Sequence, residues 1–231
     1  MIEAARRRCD QRLPLLIWDI DGTLLAVTGI GRRAMNEAFH ECYGIAGAFD
    51  IVDFAGAHDH ALWAEAAHRH QICDGDSAAL FFHRYLRRLA ALLAAFPLPV
   101  LPGVVQALSQ LSAAGYELAL GTGNIRPAAY LKLGRAGLAH FFPAGGFSSP
   151  GASRQEILDQ ALQSSQRGAP CAVVIGDTPI DVRAAHARGL AAVAVATGRF
   201  SASDLAQAGA DLVLDTLEDT KPLRHLLHAL P

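Results

Sequence analysis

Lysine is almost missing from this chain. Among 20 Lys and Arg residues only Lys132 and Lys221 are lysines, so a reaction that needs a buried ammonium has two candidates. Cysteine is sparse as well: Cys9, Cys42, Cys73 and Cys171 stand alone, with no CxxC spacing. That excludes the usual thiolate zinc patterns and predicts reduced thiols rather than a disulfide framework. No apolar run approaches the ~20 residues of a membrane-spanning helix. After Arg6-Arg7-Arg8 the chain is apolar only from Leu13 to Trp18 before Asp19 interrupts it, which is not the pattern of a signal peptide. Charge of one sign is lacking too. The net charge is −2, so no basic field exists to gather nucleic acid or an anionic membrane surface. These absences predict a cytoplasmic protein with neither nucleic acid nor membrane as partner, and a monomer or weak homodimer.

The chain does have short apolar runs, in a composition that is 52% hydrophobic. Five read as buried parallel strands: "LLIW" (15–18), "YELALG" (116–121), "CAVVIG" (171–176), "AAVAVA" (191–196) and "DLVL" (211–214). Between them lie helical patterns with start and stop signals. "RPAAYLKLGRAG" has Pro127 near its start and Gly137 at its end, and "SRQEILDQALQSS" opens on Ser153 and Glu156 at capping-box spacing. Strand alternating with helix predicts an α/β fold with a Rossmann-like, doubly wound parallel sheet. Residues 27–97 break the rhythm. "RRAMNEAFHECYG", "DHALWAEAAHRH" and "DSAALFFHRYLRRLAALLAAF" read as amphipathic helices, and the last stops at Pro97, Pro99 and Pro102. The expected organisation is a catalytic core of 13–26 and 98–231, an inserted α-helical cap domain of 27–97, and a polar N-terminal arm of 1–12. Trp63, Phe81 and Phe82 are expected in the core of the cap, and Arg87-Arg88 on a solvated face.

In open α/β sheets ligands bind beyond the carboxyl ends of the strands. The first strand ends in Asp19 and Asp21, the second in Thr122, Gly123 and Asn124, the third in Asp177 with Asp181 four residues on. Carboxylates gathered at one edge cannot all stay ionised unless a cation offsets them. An all-oxygen donor set favours a hard cation, and Mg²⁺ takes a few carboxylates while keeping room for a phosphate oxygen. Asp19 could attack as a nucleophile to form an aspartyl-phosphate. Asp21, two residues on, could protonate the leaving oxygen and later activate water. Gly22 permits a sharp departure from the strand, and Thr122 with the backbone N–H groups around Gly123 could hold phosphate oxygens.

In order and spacing, "DIDGTL", "LALGTGN" and "VVIGDTPID" resemble the signature segments of the haloacid dehalogenase-like hydrolases, and the helical insert resembles that family's small cap. The resemblance runs from about residue 14 to 218. It implies Asp19 as nucleophile, Asp21 as acid and base, and Mg²⁺ held by Asp19, the main-chain carbonyl of Asp21 and Asp177, with Asp181 orienting metal-bound water. A second Asp at position 21 is similar to the phosphatase branch. The family also implies a lysine that pairs with the nucleophile and phosphate, often placed before the third segment. Here that place reads "GASRQEIL", with Arg154 and no lysine. The candidate is therefore Lys132, in a "TGN…LK" arrangement similar to one phosphatase subgroup, with Arg154 the alternative. The cap loop "FAGAHDHAL" resembles one that reads Gly-Arg-Thr-Asp in phosphoglycolate phosphatase-like members. Gly56 and Asp59 match it, while Ala57 and His58 do not.

The function implied is Mg²⁺-dependent hydrolysis of a small-molecule phosphomonoester. Lys132, Gly22, Thr122, Gly123 and Asn124 are expected at the phosphate, and His58 and Asp59 on the cap side of the substrate. A phosphomutase on the same scaffold and a non-catalytic binding protein are the alternatives. His60, His68 and His70 have no further ligand at metal spacing and read as surface residues of a cap helix.

Overall fold

The computed structural model describes residues 13–72, 77–165 and 171–230. The expected arm and the thiols of Cys9 and Cys73 lie outside the described residues. Six strands form one parallel sheet: β1 Leu15–Trp18, β2 Leu118–Gly121, β3 Ala144–Gly146, β4 Ala172–Gly176, β5 Ala191–Val195 and β6 Leu212–Leu214. Their order, β3-β2-β1-β4-β5-β6, is that of the doubly wound dinucleotide-binding sheets. β1 is central, and its neighbours reverse direction of travel across the sheet on either side of it.

The helices are α1 Ile30–Tyr43, α2 Asp59–Arg69, α3 Ser77–Ala95, α4 Val104–Ala113, α5 Arg126–Arg135, α6 Arg154–Gln163, α7 Pro179–Ala187, α8 Ala202–Gln207 and α9 Lys221–Ala229. Successive strand residues face opposite sides, and each side has its own core. Leu16 and Trp18 pack with α4, α5 and α9 through Leu108, Leu133 and Leu223. Leu15 and Ile17 pack with α6, α7 and α8 through Leu158, Val182 and Leu205. β3 is absent from the five apolar runs because Ala-Gly-Gly carries no strand signature. Its glycines serve close approach instead: a Cβ at Gly145 would lie 2.7 Å from Leu120, and one at Gly146 would lie 1.8 Å from the Ile157 carbonyl oxygen.

α1, α2 and α3 follow one another between β1 and α4, and share a cluster built on Phe39, Phe49, Phe81 and Tyr85. Ile125 and Ala128, at the start of α5, belong to that same cluster, whereas Ala129 and Leu133, on another face of the helix, belong to the sheet's core. α5 therefore packs on both. The chain leaves and re-enters the sheet side by side, with the Ala26 N–H on the Pro99 carbonyl at 2.9 Å and the Leu101 N–H on the Leu24 carbonyl at 3.0 Å. No helix among the described residues is long and apolar enough to cross a membrane. Cys42 is a free thiol. Cys171 at the head of β4 is disulfide-bonded, unlike the reduced thiols predicted above. Spacing along the chain reports local pairs only, and a disulfide depends on proximity in space.

Candidate active site

The carboxyl ends of β1, β2 and β4 meet at one point. Asp19 extends the β1 ladder by one residue, its N–H donating to the Ile175 carbonyl at 2.9 Å. The chain then turns at Gly22, whose φ is +89°, and the Gly22 N–H donates to the Leu25 carbonyl at 2.8 Å. Gly22 and Gly198 leave room for Asp177: a Cβ would lie 2.3 Å from Asp177 Oδ2 at the first and 1.8 Å at the second. Thr23 donates to Asp177 Oδ1 at 3.2 Å.

The two neighbouring aspartates have different cations. Lys132 Nζ donates to Asp21 Oδ2 at 2.6 Å and to Asn124 Oδ1 at 2.7 Å. Asn124 Nδ2 donates in turn to Asp21 Oδ2 at 2.8 Å and to Thr122 Oγ1 at 2.8 Å. Arg154 reaches Asp19 Oδ1 with Nη2 at 3.3 Å, and grips Asp181 Oδ1 with Nε at 3.0 Å and Nη2 at 2.5 Å. Lys132 is thus brought to Asp21, and Arg154 is the cation brought to Asp19. Both side chains are buried. Asn124, expected at the phosphate, is the hub that joins Asp21, Thr122 and Lys132, a role with no signature in spacing.

Asp181 is buried. Thr178 caps α7, in a capping box where the Thr178 N–H and Oγ1 donate to Asp181 Oδ2 at 3.1 and 2.8 Å. With Arg154 on the other oxygen, both carboxylate oxygens of Asp181 already have protein partners. Thr178 and Asp181 do stand at the spacing of a capping box, so this local signal was present in the sequence.

Electrostatics follow from burial. Desolvation pushes Asp177 up to about 8, helped by the charges of Asp19 and Asp181. Desolvation raises Asp19 to about 6, with Arg154 pulling it down and Asp181 and Asp21 pushing it up. Arg154 sits above its ordinary range: burial opposes its charge, but Asp181 and Asp19 outweigh that. Asp19, Asp177 and Asp181 place one oxygen each within 4.8 Å of one another. This all-oxygen, desolvated, acid-rich set fits a hard divalent cation, and Asp19 and Asp177 are the carboxylates with the freer oxygens.

The helical insert closes over this edge. The Ala57 carbonyl lies against Gly123, where a Cβ would come within 2.2 Å of its oxygen. Asp59 is tied to the same loop: its N–H donates to the Gly123 carbonyl at 2.8 Å, and its Oδ2 accepts from the Ile125 N–H at 2.8 Å. Desolvation raises Asp59 to about 7 against the pull of Lys132. Beneath the insert is a cavity of ≈ 250 Å³ whose walls include Asp19, Asp21, Thr122, Gly123, Asn124, Lys132, Arg154, Asp177 and Asp59. Gly22, His58 and Asp181 are not among its walls. His58 is instead the extended residue before α2, its imidazole held below its usual range by burial and by Arg154. His60 bonds Ser148 Oγ at 3.0 Å through Nδ1.

The motif order, the 3-2-1-4-5-6 sheet and this acidic edge define one class of protein. Residues 16–195 match the haloacid dehalogenase-like hydrolase family, and the chain belongs to it. A phosphoglycolate phosphatase of Cupriavidus necator is 31% identical over 148 residues, 63% of this chain and 62% of that protein. The chain thus spans less than two thirds of the length of this curated relative. The structure of CbbY from Rhodobacter sphaeroides with xylulose-(1,5)bisphosphate superposes with a TM-score of 0.70 at 22% identity, covering 91% of this chain and 97% of that one. A haloacid dehalogenase-like hydrolase of Streptococcus pneumoniae gives 0.65 at 25% identity, covering 94% and 98%.

Proposed function

We propose that this chain is a Mg²⁺-dependent phosphatase of small phosphomonoesters that works through a phosphoryl group on Asp19. The observation that carries the reading is the separation of the two aspartates onto two cations, Asp19 beside Arg154 and Asp21 beside Lys132. Two carboxylates two residues apart are thereby held in different settings, one free to attack and one positioned to handle protons. The name of the Cupriavidus relative supports phosphate-ester hydrolysis.

In the first step an Asp19 oxygen attacks phosphorus and the ester P–O bond breaks. The leaving oxygen takes a proton from Asp21. Asp21 Oδ2 is occupied by Lys132 and Asn124, which leaves Oδ1 for that proton. In the second step water attacks phosphorus, Asp21 takes the water's proton, and the bond to Asp19 breaks, releasing phosphate. Thr122 Oγ1 and the N–H groups of the Gly123 loop orient the phosphate oxygens, and Arg154 holds Asp19 in line. Asp19, the Asp21 main-chain carbonyl and Asp177 would hold Mg²⁺, which when bound offsets negative charge on phosphate and carboxylates. The part of Asp181 in this scheme is to fix Arg154 and the first turn of α7.

Asp19→Asn should abolish phosphate release from p-nitrophenyl phosphate in Mg²⁺. Turnover retained in that variant would refute the assignment of the nucleophile. A mutase would show itself by a need for a sugar bisphosphate and by little net phosphate release.

A further inference from the structure

Away from Asp19 and Asp21 the cavity continues into the helical insert, where Ile30, Met35, Leu62, Tyr85, Leu93 and Leu98 wall it. Five of the six are aliphatic or thioether side chains. The sixth, Tyr85, is 1% exposed, and its ring is fixed. It stacks on Phe81 with centroids 6.3 Å apart and planes 6° apart, and meets Phe82 edge-on at 6.4 Å. The hydroxyl of Tyr85 makes no hydrogen bond with any described residue, yet it is not sealed in apolar packing as the indole N–H groups of Trp18 and Trp63 are. Tyr85 is one of the cavity's walls. Burial, and then the charges of Asp59 and Asp21, push its phenol well above the ordinary range, so it remains an O–H donor.

The cations on the cavity are already matched. Lys132 is on Asp21 and Arg154 on Asp19 and Asp181. Arg199 bonds Asp53 at 2.8 Å, in a pair about two-thirds exposed to solvent. Arg32 gives Nη1 to the carbonyls of Phe49 and Asp50 at 3.1 and 2.8 Å, lies 4.5 Å over the Phe54 ring, and is close enough to Asp53 to help hold that carboxyl below its usual range. Asp59, the cap-side acid on the cavity wall, supplies no positive charge. A carboxylate or second phosphate carried into this end would be desolvated without a counter-charge, which is strongly unfavourable.

We propose that the leaving-group end of this cavity takes an uncharged alcohol: a small apolar body with one hydroxyl or carbonyl oxygen that accepts from the Tyr85 hydroxyl. The inference rests on the phosphatase reading above. It selects a substrate class different from the carboxylated and bisphosphorylated compounds that the names of the similar proteins carry. Tyr85 is the specificity-determining residue, because an unmatched buried donor discriminates against a partner that cannot accept from it.

The test is phosphate release by the full chain in Mg²⁺ from acetyl phosphate, butyl phosphate, the 2-, 3- and 4-hydroxybutyl phosphates, phosphoglycolate and 3-phosphoglycerate. The best hydroxybutyl ester should exceed butyl phosphate in kcat/KM by ~10-fold and both carboxylated esters by ~100-fold. In Tyr85→Phe the preference for the hydroxylated ester over butyl phosphate should collapse to within about 2-fold. The inference is overturned if a carboxylated ester matches or leads the uncharged ones, or if a folded Tyr85→Phe protein keeps the preference. Acetyl phosphate, which has little leaving group to recognise, separates the two levels. If neither it nor any ester is turned over, the phosphatase reading fails; if it is hydrolysed while a carboxylated ester leads, only the substrate class fails.

Discussion

Removing divalent cations should make the stability of this protein fall as pH rises, against the usual trend in which paired carboxylates lose stability as pH falls. Buried Asp177 is pushed from 3.8 up to about 8 and Asp59 to about 7. A carboxyl whose folded value lies above its unfolded value binds more protons folded than unfolded. Its penalty is absent below the unfolded value, grows as pH rises, and is complete above the folded value. His58 and His60 work in the opposite sense, because burial depresses both, but that contribution is spent once the unfolded imidazole loses its proton near 6.5. From pH 6.5 to 8.0 the aspartates therefore dominate. At 1.36 kcal/mol for each unit of pKa, Asp177 and Asp59 together should remove about 2 kcal/mol over this window. For a chain of this size that lowers Tm by roughly 4–8 °C. The assay is thermal unfolding in EDTA and in Mg²⁺ at both pH values. Because the metal binds the ionised carboxylates, the Tm difference between Mg²⁺ and EDTA should be larger at pH 8.0. A Tm in EDTA that is flat or rises with pH, or a Mg²⁺ increment that does not grow, would refute the reasoning.

Two substitutions probe the same edge from different sides. Gly198→Ala places a Cβ where Asp177 Oδ2 now lies, 1.8 Å away; turnover should drop by ~10²-fold or more, and the Mg²⁺ increment in Tm should shrink with it, so an unchanged increment would remove Asp177 from the metal set. Arg154→Ala strips a buried guanidinium from Asp19 and Asp181; an uncompensated buried charge of this kind destabilises by about 3 kcal/mol, read as a lowered urea midpoint, and a loss under about 1 kcal/mol would contradict the role assigned to the pair.

Much of the architecture was legible because strands buried on both faces must be apolar throughout. "LLIW" and "CAVVIG" could hardly be anything else, and the polar residues that end them fall at the edge where such sheets bind ligands. β3 was not legible, since Ala144-Gly145-Gly146 is a strand by virtue of its neighbours' need for closeness. The capping box of Thr178 and Asp181 could be read from spacing, and it explains why Asp181 is occupied. The partner of Lys132 could not be read. Its distance along the helix from Thr122 brings it near the strand ends, but whether Nζ meets Asp19 or Asp21 depends on helix rotation and on Asn124 standing between. Arg154 likewise follows a readable cap, Ser153, yet its carboxylates come from positions 19 and 181 and are joined only by folding. Tyr85 is hidden among the apolar residues of α3, and only the assembled cluster makes it a wall of the cavity.

The helix α5 has a further consequence. One side of it, with Ile125, Ala128 and Leu131, packs on the aromatic cluster of the insert, another, with Ala129 and Leu133, packs in the core of the sheet, and buried Lys132 is carried on the same helix. The loop leading into it carries Gly123 and Asn124 and is bonded to Asp59 from above. The insert is therefore tied to α5 and to the loop before it. Lifting it would draw Ile125 and Ala128 out of their apolar surroundings and pull on the segment that sets Asn124 and Lys132 against Asp21. The packing that seats the insert and the contacts that hold the charges around Asp21 thus run through one helix and the loop before it.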